Sequence, residues 1–146
     1  MENIEVTSSA FKHNGEIPKK YSCDGEDINP DLQFSNVPSG TESLVLIMDD
    51  PDAPVGTFTH WVVWNIDPSS SIKENSVPGV QGANSFGKSS YGGPCPPSGT
   101  HRYFFRVYAL DTKLDKSEGA TKKEVEKAME GHVVGKGELM GNYSRK

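Results

Sequence analysis

Two short apolar runs dominate the hydrophobic pattern: LVLIM at residues 44–48 and WVVW at 61–64. Both are rich in β-branched or aromatic residues and too short for helices, which predicts buried strands. Between them, Asp49-Asp50-Pro51-Asp52-Ala53-Pro54 cannot continue either strand. Each proline lacks a backbone donor, fixes its own φ and restrains the residue before it. A stiff turn of this kind can hold polar groups at the mouth of a pocket; taken alone, it also fits an ordinary polar loop between core strands. A third run, RYFFRVYAL at 102–110, predicts a strand buried on both faces over part of its length. Residues 1–11 alternate weakly through Ile4 and Val6 and predict an N-terminal edge strand. Leu32-Gln33-Phe34 predicts a short strand, and Val133-Val134 with Glu138-Leu139-Met140 predict one or two short final strands. Thr121 and Glu124 fit a helix-starting capping box, Val125, Ala128, Met129 and His132 follow at helical spacing, and Gly131 offers a stop. Residues 67–100 carry almost no apolar period but many glycines and prolines, and Phe86 and Tyr91 favour an ordered loop packed on the body. The fold class is mainly β with one or two helices, and with no repeat or linker the expectation is a single domain over 1–146.

Length agrees with that expectation. A chain of 146 residues buries roughly 68–70% of its unfolded surface, so it needs neither metal nor disulfide to fold. The net charge of −5 argues against a general affinity for nucleic acid or an anionic membrane, while leaving room for a local anion site. The start, MENIEVTSS, lacks a basic n-region and an apolar h-region, and no apolar run reaches membrane-spanning length. A cytoplasmic protein with no membrane span is expected. The two cysteines, Cys23 and Cys95, form no CxxC pattern. They read either as unrelated reduced thiols or as a disulfide joining two loops, and spacing does not decide between these.

The chemistry gathers at two Gly/Pro-framed loops, each bringing a histidine beside a core strand. One is the 49–54 turn with His60; the other, YGGPCPPSGTHRY at 91–103, delivers His101. Glycines permit close backbone approach to a ligand, and prolines reduce the freedom that binding has to freeze out. Two imidazoles can donate to a phosphate or carboxylate oxygen, and neighbouring carboxylates orient them and favour their charged form. The N–H groups of Gly92 and Gly93 are candidates to complete an anion nest. His13 and His132 read as surface or packing residues, Asp49 as a solvated neighbour or a turn hydrogen-bonder, and Lys122, Lys123, Glu124, Glu126 and Lys127 as a solvated helix face. Ser98 lies in a Pro/Gly turn without a nucleophile-elbow frame, so serine-triad chemistry has no support.

Three segments carry a resemblance: DPDAP at 50–54, HWVVWN at 60–65 and GGPCPPSGTHRYFFRVYAL at 92–110. With IPKKYSCDGEDINPDLQF near the start and GELMGNYSR near the end, the chain resembles the phosphatidylethanolamine-binding protein family, in particular its bacterial and archaeal Raf-kinase-inhibitor-like branch. The resemblance implies a large antiparallel central sheet packed with a smaller sheet, peripheral helices, and a small anion pocket at one end of the central sheet. Asp50, Asp52, His60 and His101 match its polar residues; Pro54, Gly93, Pro96 and Tyr103 match its walls. It also implies a cis peptide in the aspartate/proline loop, for which Ala53–Pro54 is the candidate. The loop before His60 is short, the loop before His101 lacks two residues, and the sequence ends at Arg145-Lys146 without the C-terminal helix of eukaryotic members. These departures imply a more open pocket and weigh against lipid sequestration.

The resulting expectation is a non-enzymatic binding protein for a phosphate or phosphoryl head group, with no metal or cofactor, modulating a kinase or protease partner and forming a homodimer as relatives of this branch do. Two alternatives stand beside it. One is a metal-dependent hydrolase using the His/Asp cluster; the other is a protease inhibitor acting through an exposed loop.

Overall fold

The computed structural model describes residues 2–69 and 71–145. In chain order its strands are β1 (Glu2–Asn3), β2 (Glu5–Thr7), β3 (Gly15–Glu16), β4 (Gln33–Ser35), β5 (Ser43–Asp50), β6 (Phe58–Ile66), β7 (Val80–Gln81), β8 (Thr100–Leu110) and β9 (Val133–Ser144). The helix α1 (Lys122–Met129) precedes β9. The main sheet runs β1-β9-β8-β5-β6-β7, with β3 also paired to β9, and β2 and β4 form a separate two-stranded sheet. The long strands pair antiparallel. The short β1 and β3 add to β9 in parallel, so the large sheet is mixed at that edge rather than wholly antiparallel.

β5 lies at the centre and is buried along its whole length, which is why its sequence does not alternate. Leu44, Leu46 and Met48 face one core with Trp61, Tyr103 and Phe105, closed by the N-terminal segment through Phe11 and Ile17. Val45 and Ile47 face a second core with Val62 and Trp64, closed by Val125 and Met129 of α1. The helix begins as its sequence predicts: Thr121 accepts the Glu124 N–H at 3.1 Å, and the Glu124 carboxylate accepts the Thr121 N–H at 2.9 Å. Gly131, at φ 81°, follows its end. Among the described residues of 67–99, β7 and an isolated bridge between Leu32 and Ile72 interrupt the loop.

The C-terminal region departs from expectation. β9 is one 12-residue strand paired along β8, not one or two short pieces. Its glycines break the apolar pattern that marks strands, and close packing against residues 2–38 explains all three, Gly137 most sharply. A Cβ on Gly137 would run into the Ile4 carbonyl oxygen of the crossing N-terminal segment. Gly137→Ala is therefore expected to cost about 2 kcal/mol, read as a lowered midpoint in urea unfolding. No helix among the described residues is long and apolar enough to cross a membrane.

Candidate functional site

Strand alternation sends the last two residues of β5 to opposite faces. Asp49 is not solvated as expected: it is 4% exposed and receives Lys122 Nζ at 3.1 Å and Arg106 Nε at 3.4 Å on the α1 side. Lys122 is correspondingly not part of a purely solvated helix face. Asp50 points to the other face. Its Oδ2 accepts from His101 Nδ1 at 2.7 Å, and its Oδ1 accepts the Asp52 N–H at 2.8 Å, which pins the start of the turn. Asp50 and His101 are both buried.

His60 reaches the same face through a β-bulge. Met48 pairs with Trp61 and Asp49 with Thr59, so His60 is the extra residue on β6. Regular alternation would send His60 away from Trp61's face; instead its ring packs edge-on to Tyr103, centroids 5.2 Å apart. His101 stacks on Tyr103 at 6.4 Å, so Tyr103 is flanked by both imidazoles. Phe58 and Phe86 complete an aromatic wall around His60, at 5.0 and 5.4 Å. Asn84 shapes the loop that presents Phe86, its Oδ1 accepting the N–H groups of Phe86 and Lys88.

The Gly92 segment clasps His60 from both sides. Gly92 N–H donates to the His60 carbonyl at 3.0 Å, and His60 Nδ1–H donates to the Gly92 carbonyl at 2.7 Å. Burial lowers the His60 pKa, outweighing the Gly92 carbonyl and the Asp50 charge, which favour the imidazolium. A depressed folded-state pKa contributes stability above the ordinary histidine value of about 6.5. That stability is lost as pH falls below it. Thermal melts between pH 7.5 and 5 are expected to show a falling midpoint, with a shallower slope in His60→Gln.

Tyr103 is fully buried, and among the described residues its hydroxyl is the sole fully buried side-chain polar atom without a hydrogen-bond partner. Burial, then the charge and nearby carboxylate of Asp50, raise its pKa against the opposing Cys95 backbone, so it stays protonated; Asp50 and Cys95 are the polar groups nearest to it. Such an orphan is costly in a core, and marks a place where a ligand atom or water is accommodated.

Other expected site residues take different places. Asp52 faces Arg102 rather than an imidazole: it accepts the Arg102 backbone N–H and Nε at 2.9 Å and Nη2 at 2.8 Å. The Arg102 hydrogen bonds outweigh partial burial and hold the Asp52 pKa at about 2. Pro54 is exposed in the turn. The Ala53–Pro54 peptide is trans, as no cis peptide bond occurs among the described residues. Gly93 is a packing residue whose Cβ would run into the Tyr21 carbonyl, and Pro96 is buried nearby in sequence. The expected Gly92–Gly93 anion nest is not available. Gly92 N–H is spent on His60, and Gly93 N–H donates to Asp27 Oδ1 at 2.8 Å. Cys23 and Cys95 are joined in a disulfide, Cα atoms 5.5 Å apart, tying this loop to the 19–25 segment. His13 and His132 lie elsewhere, bonded to the Met140 N–H and to Asp111. The roles of Arg102, Phe58 and Phe86 were not read from the sequence; the Phe-x-His spacing of 58–60 is the one signal that could have found Phe58.

Comparisons with known proteins agree with this fold. The family model described as phosphatidylethanolamine-binding protein matches residues 7–144. A UPF0098 protein of Pyrococcus horikoshii is 52% identical over 150 residues, covering 95% of this chain and 76% of that protein. A UPF0098 protein of Methanothermobacter thermautotrophicus is 51% identical, covering 97% and 99%. Among solved structures, a phosphatidylethanolamine-binding protein homologue from Chlamydia trachomatis superposes with a TM-score of 0.95 at 44% identity over the whole of both chains. E. coli YbcL, described as a member of the mammalian family, gives 0.90 at 30% identity, covering 98% of this chain and 99% of that one. On sequence and fold together, the chain belongs to the phosphatidylethanolamine-binding protein family.

Proposed function

We propose that this protein is a non-enzymatic binder of small phosphoryl-type anions, with Asp50, His60, His101 and Tyr103 as the site. The observation that carries the reading is the orphaned Tyr103 hydroxyl, buried between two imidazoles. Among the described residues neither His60 nor His101 has a bonded Nε2, since the bonds they make run through Nδ1. Tyr103 donates to an anion oxygen, and the imidazolium form of His101, paired with Asp50 through Nδ1, donates from Nε2. Asp52, Gly93 and Pro96 support the frame, and Asp52 holds Arg102 at the rim.

Isothermal titration with inorganic phosphate at pH 6 and pH 7.5 tests the reading. Saturable binding, tighter at pH 6, is the expected result; no binding at either pH would remove it. The hydrolase alternative gains nothing from the geometry. No group of three or more His, Cys, Asp or Glu is arranged to hold a metal ion among the described residues, and Asp50 is already committed.

One observation favours a protein-facing role beside the pocket. Val55 is 94% exposed in the proline-framed turn, where a partner protein could touch it. A panel of both enzyme types, with Val55→Asp as control, tests it, and sedimentation tests the expected homodimer. Placement in the cytoplasm rests on the N-terminal composition. The Cys23–Cys95 disulfide opposes it, because disulfides persist mainly in oxidising compartments. Thiol labelling in intact cells decides between them.

A further inference from the structure

The hydrogen bonds around His60 constrain which form of an anion the site accepts. A carbonyl oxygen can only accept, so the 2.7 Å contact between His60 and Gly92 places a proton on Nδ1. Nε2 then carries a lone pair in the neutral ring. A second proton there is opposed by the position itself, 3% exposed and walled by Phe58, Phe86 and Tyr103. Nε2 has no protein partner, yet among the described residues only the Tyr103 hydroxyl is both unpaired and fully sealed. Among the described residues no hydrogen bond occupies His60 Nε2, which leaves it for a ligand. The charged and titratable groups around the ring are Asp49 and Asp50 on β5, His101 and Tyr103 on β8, and Asp52 of the turn, the last held by Arg102.

We propose that the site selects oxyanions that carry a proton of their own, the hydrogen-phosphate form of inorganic phosphate or of a phosphate monoester, with the P–OH donating to Nε2 of His60. This rests on the anion-binding reading above. In the bound state Tyr103 and protonated His101 donate to two anion oxygens, and His60 accepts from the third. A phosphodiester has no P–OH. Its free oxygens are all acceptors, so one of them faces the His60 lone pair and a hydrogen bond becomes a repulsion. Sites built to pair a ligand hydroxyl reject analogues that lack it far more strongly than apolar pockets reject a missing methyl group. His60 is thus a specificity-determining residue for phosphoryl head groups, and it disfavours the diester linkage found in phospholipids.

The test compares methyl phosphate with dimethyl phosphate by calorimetry on the disulfide-bonded full chain at pH 5.5. Methyl phosphate, whose second pKa lies near 6, is then mainly a monoanion, so both ligands carry one charge and differ in the P–OH. Methyl phosphate is expected to bind roughly 100-fold more tightly. Inorganic phosphate against sulfate, at the same pH, repeats the hydroxyl contrast with an extra negative charge on sulfate, and sulfate is expected to be the weaker despite that charge. Lowering the pH further favours the second proton on Nε2 and should narrow both gaps. His60→Gln, which offers an N–H donor, should narrow them at pH 5.5; if that variant does not fold, the pH series on the unmodified protein decides alone. Equal affinities for the two methyl esters would overturn the inference and leave the anion site standing. Absence of binding by every probe would overturn both.

Discussion

Asp50→Ala is expected to weaken phosphate binding at pH 6 roughly 100-fold and to destabilise the protein by about 3 kcal/mol. Asp50 is 3% exposed and does two jobs: it holds His101 Nδ1 and anchors the Asp52 N–H. Removing it leaves a buried imidazole without the partner that fixes its tautomer and stabilises its charge. The turn that frames the site also loses its first hydrogen bond. Asp52→Ala provides the contrast. That change frees Arg102 but touches neither imidazole, so phosphate affinity is expected to stay within about threefold of the unmodified protein. Calorimetric titration of the two variants, with urea unfolding for stability, checks both halves. Equal losses of affinity would place Asp52 inside the site after all.

The second large effect concerns Cys23 and Cys95. Their bridge closes a loop with a sequence separation of 72 residues. On the chain-entropy model, opening a loop of this size costs about 4 kcal/mol. Cys23→Ser with Cys95→Ser is therefore expected to lower the melting temperature by roughly 10–15 °C. Binding should suffer as well, because Gly92 and Gly93 immediately precede the bridge and Gly92 holds His60 on both sides. Differential scanning calorimetry, paired with a phosphate titration below the lowered transition, separates lost stability from lost site geometry. A shift below a few degrees would mean that the 19–25 segment and the loop stay docked without the bond. That docking also uses the Cys23 N–H to Pro94 and the Tyr91 hydroxyl to Tyr21, so the variant isolates the covalent share.

Much of the frame was legible because local rules and tertiary structure agree. The runs at 44–48 and 61–64 became β5 and β6, and the capping box at Thr121 became the start of α1. What was hidden depends on contacts between distant residues. Three glycines in β9 break the strand pattern, and only the crossing N-terminal segment explains Gly137. The bulge at His60 cannot be read from alternation, which assigns that residue to the wrong face. Asp52 lies in the motif, but nothing in the spacing announces that Arg102 folds back onto it. The glycine N–H groups illustrate the same limit. Their sequence suggested a nest, while their actual partners, the His60 carbonyl and Asp27, belong to remote segments. Resemblance supplied Asp50, His60 and His101 as expected polar residues of the site and Tyr103 as an expected wall. Geometry supplied their proton arrangement, which the motif does not encode.

The central claim is that an anion docks among His60, His101 and Tyr103. Titrating inorganic phosphate at pH 6 while following the imidazole nitrogen resonances of the four histidines tests it most directly. The account predicts saturable shifts at Nε2 of His60 and His101 with one common dissociation constant, and no response from His13 or His132. Saturable binding with unmoved His60 and His101 resonances, or shifts shared equally by all four rings, would contradict it.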